Sequence, residues 1–282
     1  MSADPSSPER NLRERGEARA IWLGRRAYGK MHDLQEKLVA ARMEGAIGDT
    51  ILLLEHTPVV TLGRSAKHDN VLFTPEVLAQ RGVEVHETAR GGDVTYHGPG
   101  QLVCYPILDL APDRCDVRRY VRALADVMIL FLRDHAVEAG TVDGMIGVWA
   151  DKKAPSEWAG EAWAGEIAKV GAIGVRISRW ITMHGFALNL TVDPGDFRWI
   201  VPCGIRDHAV TSLRALTGEA PSPRDAALRL APHLAKGLSI PVASVQDHEQ
   251  SEDESLADLL IFTAPSQEDR SGRTQTELGQ RP

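Results

Sequence analysis

The stretch that decides the fold is residues 29–54, GKMHDLQEKLVAARMEGAIGDTILLL. In its first half, apolar residues recur at spacings of three and four, the period of a helix with one buried face. These residues are Met31, Leu34, Leu38 and Ala41. Two glycines then precede the apolar run at 51–54, which is typical of a buried strand. A helix that leads directly into a buried strand predicts an α/β fold.

The pattern continues toward the C-terminus. Short apolar segments predict further strands at 58–62, 82–86, 101–110, 145–149, 170–177 and 181–190. Within the last of these, Gly185 is expected to form a β-bulge. Helical spacing predicts helices at 116–135 and at 224–238, the second bent at Pro232, and Thr74-Pro75 predicts a helix start.

One catalytic domain is predicted between two disordered tails. The chain has 282 residues and an ordinary hydrophobic content of 43%, which suits a single domain at 20–241. Residues 1–19 are polar with scattered acids, and residues 242–282 are acidic and aperiodic apart from an apolar island at 256–262, so both are expected to be disordered. Residues 151–166 form either a flap over a site or a surface insertion.

Composition and charge exclude several classes of function. The last 42 residues hold nine Asp or Glu against three Arg, so −6 of the formal charge of −7 lies there and the rest is nearly neutral. A nucleic-acid-binding protein would instead show a clustered basic face. No apolar run approaches the roughly 20 residues that span a bilayer. Three cysteines are too few and too widely spaced for a disulfide framework, which favours a reducing, cytoplasmic setting.

The most informative segment is residues 90–101, RGGDVTYHGPGQ. Four glycines and a proline force unusual backbone conformations and allow a ligand to approach the main chain. The segment therefore predicts a binding loop with exposed amides, on which Arg90, Tyr96 and His97 are polar fixtures. The alternative is an elaborate turn with a capping histidine.

Cys203 and Lys169 are the candidates for chemistry. Cys203 stands between Pro202 and Gly204, a setting that leaves its sulfur accessible. An ordinary cysteine has a thiol pKa near 8.5, so a nucleophilic cysteine needs a nearby cation or base. Lys169 begins an apolar, glycine-spaced strand, and its ammonium beside a thiol would favour the thiolate. Without such a partner, Cys203 is instead a small core residue.

The other reactive side chains have simpler interpretations. Cys104 lies inside a strand and is expected to be packed, and Cys115 is expected near the surface before a helix. His56 and His184 either line a pocket or satisfy local hydrogen bonds. No second ligand stands at a metal-like spacing from them, so no metal site is predicted.

Together these segments resemble the lipoyl(octanoyl) transferase family, the octanoyl-[acyl-carrier-protein]:protein N-octanoyltransferases. The resemblance covers residues 21–238 and is most specific at 55–64, 90–106, 169–175, 183–190 and 202–205. It implies a mixed β-sheet flanked by helices, like the catalytic domain of biotin and lipoate protein ligases. The sequence departs from the family pattern at Cys104, where glycine is expected, and in having the 151–166 insertion and the acidic tail.

The resemblance also implies the site and the reaction. Cys203 would be the acylated nucleophile and Lys169 the residue that activates it. The implied substrate-binding residues are Arg90, Gly91, Gly92, Asp93, Val94, Thr95, Tyr96, His97, Ala172, Ile173, Gly174, Gly185, Phe186 and Ala187. The donor would be octanoyl-acyl carrier protein, and the acceptors would be lipoyl domains of 2-oxoacid dehydrogenase E2 subunits and the glycine cleavage H protein. No cofactor is implied, because a thioester is already activated.

Three alternatives share the resemblance. A ligase of the same fold would activate free lipoate or biotin with ATP and would not need Cys203. An amidotransferase that passes octanoyl between lipoyl domains would share the cysteine and differ in its donor. A non-catalytic module that binds lipoyl domains would retain the glycine loops as scaffold alone.

Overall fold

The structure is a computed structural model that describes residues 16–158, 166–201 and 209–262. These residues form a large mixed sheet with helices on both faces and a second, three-stranded sheet. The predicted α/β class, with a mixed sheet flanked by helices, is confirmed.

The strands, in chain order, are β1 (Arg19–Arg26), β2 (Thr50–His56), β3 (Val59–Leu62), β4 (Glu84–Glu87), β5 (Val94–His97), β6 (Gln101–Ile107), β7 (Ala139–Val142), β8 (Met145–Asp151), β9 (Ile167–Ser178), β10 (Ile181–Asn189), β11 (Ala209–Val210) and β12 (Gln246–Asp247). The large sheet has the order β12-β1-β2-β6-β10-β9-β8-β7, with β11 beside β9. The pairs β12–β1, β1–β2 and β11–β9 are parallel, and the other pairs of this sheet are antiparallel. The small sheet has the order β4-β3-β5.

The helices are α1 (Tyr28–Met43), α2 (Pro75–Gln80), α3 (Val117–Arg133), α4 (Leu213–Thr217), α5 (Pro223–Leu228), α6 (Ala231–Leu238) and α7 (Asp253–Phe262). Helices α3, α5 and α6 contribute to the core cluster on one face of the large sheet, and α1 and α7 contribute to the cluster on the other face. Two 3₁₀ turns, His68–Asn70 and Pro194–Trp199, flank the small sheet. Within the part of the chain that the structure describes, no helix is long and apolar enough to cross a membrane.

The predicted helix at 116–135 is confirmed as α3, and its sequence explains its position. The side chain of Asp116 accepts a hydrogen bond from the backbone N–H of Arg119 at 3.0 Å and so caps the first turn. Buried residues then follow at helical spacing along one face, among them Leu124 and Phe131. That face packs on the sheet because its apolar stripe is continuous.

Three predictions of local structure are corrected. The helix expected at 224–238 is two helices, α5 and α6, and Pro232 lies in the first turn of the second, where its missing N–H costs no hydrogen bond. Gly185 forms no bulge, since the pairing of β10 with β9 is unbroken from 181 to 188. Part of the 90–101 segment is a strand, β5, rather than loop.

The prediction that the chain is disordered beyond Val242 is wrong for the described residues. Strand β12 pairs with β1, and the apolar island supplies α7, which buries Leu256 and Leu260 against α1. Arg26 fixes the preceding turn, donating to Asp253 at 3.0 Å and to backbone carbonyl oxygens. A short helix needs such tertiary packing, which its own composition does not reveal.

The remaining predictions about tails and insertion fall partly outside the described ranges. Residues 1–15 and 263–282 lie outside them, whereas Arg19, expected in the N-terminal tail, begins β1. Of the insertion, 151–158 and Glu166 are described and 159–165 are not. The choice between a flap and a surface insertion therefore stays open.

Candidate active site

A pocket lies between β9 and β10 of the large sheet and the 90–97 segment that ends in β5. The lining residues are Tyr28, Arg90, Gly92, Asp93, Val94, Thr95, His97, Tyr105, Lys169, Ala172, Ile173, Gly174, His184, Gly185, Phe186 and Ala187. Residues 90–97 and the hairpin of β9 and β10, which are far apart in sequence, therefore meet in one pocket with Tyr28 and Tyr105.

Most of the residues expected at a substrate site are among them, but two are not. The backbone N–H of Gly91 donates to the carbonyl oxygen of Val175 at 2.9 Å. The ring of Tyr96 packs edge-on against that of Phe197 in the core of the small sheet, with the ring centres 5.5 Å apart. Cys203 lies outside the described residues. The binding and catalytic roles of all these residues stay predictions.

Arg90 joins the small sheet to the large one. Its Nη2 donates to the carbonyl oxygen of Thr61 at 2.7 Å, and its Nε donates to the Thr61 hydroxyl at 3.2 Å. With Gly91 bonded to β9, this arginine and its neighbour bridge β3 and β9. The expected cradle of exposed amides is thus only partly present, because the N–H groups of Gly91 and Gly100 donate to protein oxygens instead.

Asp93 organises the next turn of the pocket wall. Its carboxylate accepts hydrogen bonds from the backbone N–H of Lys67 at 3.1 Å and from Asn70 Nδ2 at 2.5 Å. The carbonyl oxygen of Asn70 in turn accepts from the backbone N–H of Val201 at 2.8 Å. The carboxylate therefore fixes a turn that holds the chain two positions before Cys203.

His97 begins a buried hydrogen-bond network. Its Nδ1 lies 2.6 Å from Gln101 Oε1, so Nδ1 carries the proton and donates. The Gln101 Nε2 donates to Asn189 Oδ1 at 2.8 Å, and Asn189 Nδ2 donates to the carbonyl oxygen of Thr211 at 2.9 Å. Burial, reinforced by His56, lowers the pKa of His97 to about 3. The ring is therefore neutral near pH 7.

His56 makes local hydrogen bonds, as one of its two interpretations required. Its Nδ1 donates to the carbonyl oxygen of Arg26 at 3.0 Å, which leaves Nε2 to accept from the Tyr105 hydroxyl at 2.8 Å. Burial lowers the pKa of His56 to about 4. Tyr105 also lines the pocket, so His56 orients a pocket residue without lining the pocket itself.

His184 does line the pocket, which was its other interpretation. Its backbone adopts a φ of +59° within β10, and its N–H donates to Gln35 Oε1 at 2.9 Å. Burial, with His32 as the next cause, lowers the pKa of His184 to about 3. Despite this gathering of histidines, no group of three or more His, Cys, Asp or Glu among the described residues is placed to hold a metal ion.

Lys169 is 6% exposed and stands where β9 enters the pocket. Its Nζ donates to the carbonyl oxygen of Ile146 at 2.9 Å and lies 4.9 Å from the centre of the Trp149 ring. Lys152 and Lys153 instead pair with Glu166 at 3.2 and 2.9 Å. Lys169 is therefore the lysine of this region that lines the pocket.

The other two cysteines are placed as expected. Cys104 is fully buried, and burial raises the pKa of its thiol well above the usual range. Such a thiol is a poor nucleophile because the thiolate is the reactive form. Cys115 is exposed near the start of α3.

Sequence reasoning missed Tyr28 and Tyr105 as pocket residues. Tyr28 opens α1 and Tyr105 lies in β6, and only the fold brings them to β10. The partners of Lys169, Ile146 and Trp149, were also missed. Neither carries a local pattern that marks a functional residue, so no single-sequence signal points to them.

Comparison with known proteins agrees with this architecture. A sequence profile of the lipoyl protein ligase A/B catalytic domain matches residues 28–235. The octanoyltransferase of Acidobacterium capsulatum is 50% identical over 200 residues, covering 68% of this chain and 78% of that protein. The octanoyltransferase of Chloroflexus aurantiacus (strain ATCC 29366 / DSM 635 / J-10-fl) is 46% identical over 210 residues, covering 74% and 88%.

Solved structures show the same fold at low sequence identity. A lipoate-protein ligase A bound with ATP superposes with a TM-score of 0.61 at 15% identity, covering 88% of this chain and 95% of that one. A bi-partite lipoate protein ligase from Thermoplasma acidophilum gives a TM-score of 0.59 at 14% identity, covering 88% and 92%. The expected lipoate-ligase fold is therefore confirmed.

Proposed function

The chain belongs to the lipoyl protein ligase A/B catalytic-domain family and, within it, to the octanoyltransferases. It is therefore an acyltransferase, and we propose the following reaction for it. It transfers an octanoyl group from octanoyl-acyl carrier protein, through a thioester on Cys203, to a lysine of a lipoyl domain. This is the first step of protein lipoylation. The acceptors are lipoyl domains of 2-oxoacid dehydrogenase E2 subunits and the glycine cleavage H protein.

The observation that carries the proposal is the placement of Lys169. A lysine that is mostly buried in a sheet needs specific partners, because burying an unpaired charge is costly. Here the amine lines the pocket, held by Ile146 and Trp149. Its strand pairs with β11 through Val210, which follows Cys203 by only seven positions. This proximity in sequence supports a Lys169–Cys203 pair.

The rest of the pocket suits an acyl chain. On β9 and β10, the wall beyond Lys169 is mostly small or apolar, with Ala172, Ile173 and Ala187 among its residues, and the charged Arg90 and Asp93 lie on the 90–97 segment. The pocket histidines His97 and His184 are neutral near pH 7, because burial lowers their pKa values. A hydrocarbon chain would therefore meet no charged imidazole. Residues 90–97, 172–174 and 185–187 are the proposed substrate-binding segments.

The proposed reaction has two steps. The Cys203 thiolate attacks the carbonyl carbon of the octanoyl thioester, the bond from that carbon to the carrier's sulfur breaks, and the carrier leaves as its thiolate, which takes up a proton from solvent. The acceptor lysine, as a neutral amine, then attacks the Cys203 thioester. An amide forms as the nitrogen loses a proton to solvent, and the Cys203 thiolate is released. Lys169 stabilises the thiolate in both steps. The energy of the thioester drives the transfer, so the proposal needs no ATP.

Intact mass spectrometry tests the proposal. The parent and its Cys203→Ala variant are mixed with octanoyl-acyl carrier protein in the absence of an acceptor. The expected result is one octanoyl adduct on the parent, absent from the variant and discharged by apo lipoyl domain. Transfer only when ATP and free octanoate are supplied would move the protein to the ligases. If octanoyl is transferred only from another lipoyl domain, the protein is an amidotransferase. If it binds lipoyl domains but transfers no octanoyl, it is a non-catalytic module.

A further inference from the structure

Lys169 contacts the hairpin that β7 and β8 form. The hairpin runs beside β9, and the carbonyl oxygen of Ile146 accepts a hydrogen bond from Lys169 Nζ at 2.9 Å. Ile146 is 62% exposed. Its side chain faces solvent, whereas its backbone carbonyl contacts the buried lysine. One end of the lysine is thus fixed by a hairpin at the rim of the pocket.

Trp149 covers the same ammonium group. Its strand neighbours Val148 and Ala150 belong to the core cluster beneath α3, so alternation along β8 turns Trp149 to the opposite face. The indole Nε1 donates to the carbonyl oxygen of Met145 at 3.0 Å, which fixes the ring within its own hairpin. The ring centre lies 4.9 Å from Lys169 Nζ, within the range of about 6 Å over which an aromatic face attracts a cation.

Gly147 makes room for this arrangement. Its φ of +135° is a conformation that other residues rarely adopt. A Cβ atom added there would stand 3.0 Å from Lys169 Cε and 2.6 Å from the carbonyl oxygen of Gly171. A side chain at this position would therefore displace the lysine, or the strand that carries it.

We infer that Trp149 and the Ile146 carbonyl are positioning residues that hold the Lys169 ammonium where it stabilises the Cys203 thiolate. The inference rests on the proposed function, because it assigns these residues to the same reaction. A lysine side chain has several rotatable bonds and takes many positions unless both its charge and its donors are held. The aromatic face and the carbonyl oxygen supply these two contacts.

The test compares three variants with the parent. Trp149→Leu removes the aromatic face, Trp149→Phe retains one, and Trp22→Leu is the matched control, since Trp22 is as buried as Trp149 but lies on β1. For each, we would measure kcat and KM for octanoyl transfer and the rate at which Cys203 reacts with iodoacetamide between pH 6 and 9, an interval of about three units around an ordinary thiol pKa. Circular dichroism is used first to choose an assay temperature at which every variant is folded.

The inference predicts that Trp149→Leu lowers kcat and the alkylation rate at pH 7 on the order of tenfold, with KM for the carrier nearly unchanged. Trp149→Phe keeps an aromatic face but loses the hydrogen bond to Met145, so it should lose clearly less activity than Trp149→Leu, and Trp22→Leu should stay close to the parent. Parental rates in Trp149→Leu would overturn the inference, as would equal losses in all three variants, which would indicate a general effect on the fold. If the parent itself forms no octanoyl thioester, the proposed function fails instead.

Discussion

Asn189 and Thr211 are joined by a buried hydrogen bond, in which the Asn189 Nδ2 donates to the Thr211 carbonyl oxygen at 2.9 Å. Through this bond the network that starts at His97 reaches the residue that follows β11, and the N–H of Thr211 donates to the carbonyl oxygen of Lys169 at 2.9 Å. The chain leaving the Cys203 segment is therefore tied both to a pocket histidine and to the strand of Lys169.

Asn189→Ala is expected to destabilise the protein. It leaves the Thr211 carbonyl oxygen without this partner and removes the nearer of two acceptors of Gln101 Nε2. Burying one such polar group unpaired costs about 1–3 kcal/mol. Urea unfolding measures the change, with the exposed Gln80→Ala as control. Equal unfolding midpoints for the two variants would show that the network contributes nothing to stability.

Gly185→Ala is expected to damage both the fold and the pocket. A Cβ atom there would collide with the carbonyl oxygen of Cys104 and stand 2.6 Å from Pro106 Cδ. Such overpacking typically costs about 1–3 kcal/mol. The expected result is a lower melting temperature together with a higher KM for the octanoyl donor. Gly48→Ala is the control, because nothing lies within 4 Å of a Cβ atom at that position, and its values should match the parent.

Acid is expected to weaken the fold through His56, His97 and His184. Burial lowers their pKa values to about 4, 3 and 3. Below pH 6.5 these histidines therefore bind protons in the unfolded chain but not in the native state. Stability is then complete above the unfolded value and falls as the pH drops, by about 1.4 kcal/mol per unit for each histidine. Unfolding free energies at pH 7 and pH 5 should differ by roughly 6 kcal/mol. His184→Asn should remove about a third of that slope, and an unchanged slope would contradict the assignment.

Leu260→Ala is expected to release the C-terminal helix. Leu260 lies on α7 and is buried against α1. Truncating a buried leucine lowers the free energy of unfolding by about 2–5 kcal/mol. Limited proteolysis should then cleave within 242–262 much faster than in the parent. Leu72→Ala, at an exposed leucine, is the control. If the two variants resist protease equally, the packing of α7 does not protect this region.

The sequence predicted the elements whose signal is local. Helix α3 has a cap at Asp116 and one apolar stripe, and strand β2 is a short apolar run after two glycines. The 90–97 segment was singled out because glycine-rich segments are rare outside turns and binding loops, whereas residues 172–174 and 185–187 were implied only by the family resemblance. Tyr96 is not among the lining residues, since alternation along β5 turns its ring into the small core beside Phe197.

The missed features depend on contacts between distant parts of the chain. Nothing in the polar sequence after Val242 shows that Arg26, over two hundred positions earlier, fixes it to β1. Likewise, the sequence alone indicates only that Gly147 is a glycine of a hairpin. The structure is needed to show that Lys169 lies beside it. A single sequence contains no pairing information of this kind, so tertiary packing decides these positions.

The two-residue strand β12 has a consequence for how copies of the protein behave at high concentration. Strand β1 carries the apolar run Ala20 to Leu23, and without β12 its outer edge would offer unpaired N–H and C=O groups. Such an edge is a template for fibril-like association between molecules. β12 occupies part of it, and the short acidic segment around Asp247 is a poor template for a further strand. The C-terminal segment therefore covers part of an edge that would otherwise favour association between molecules.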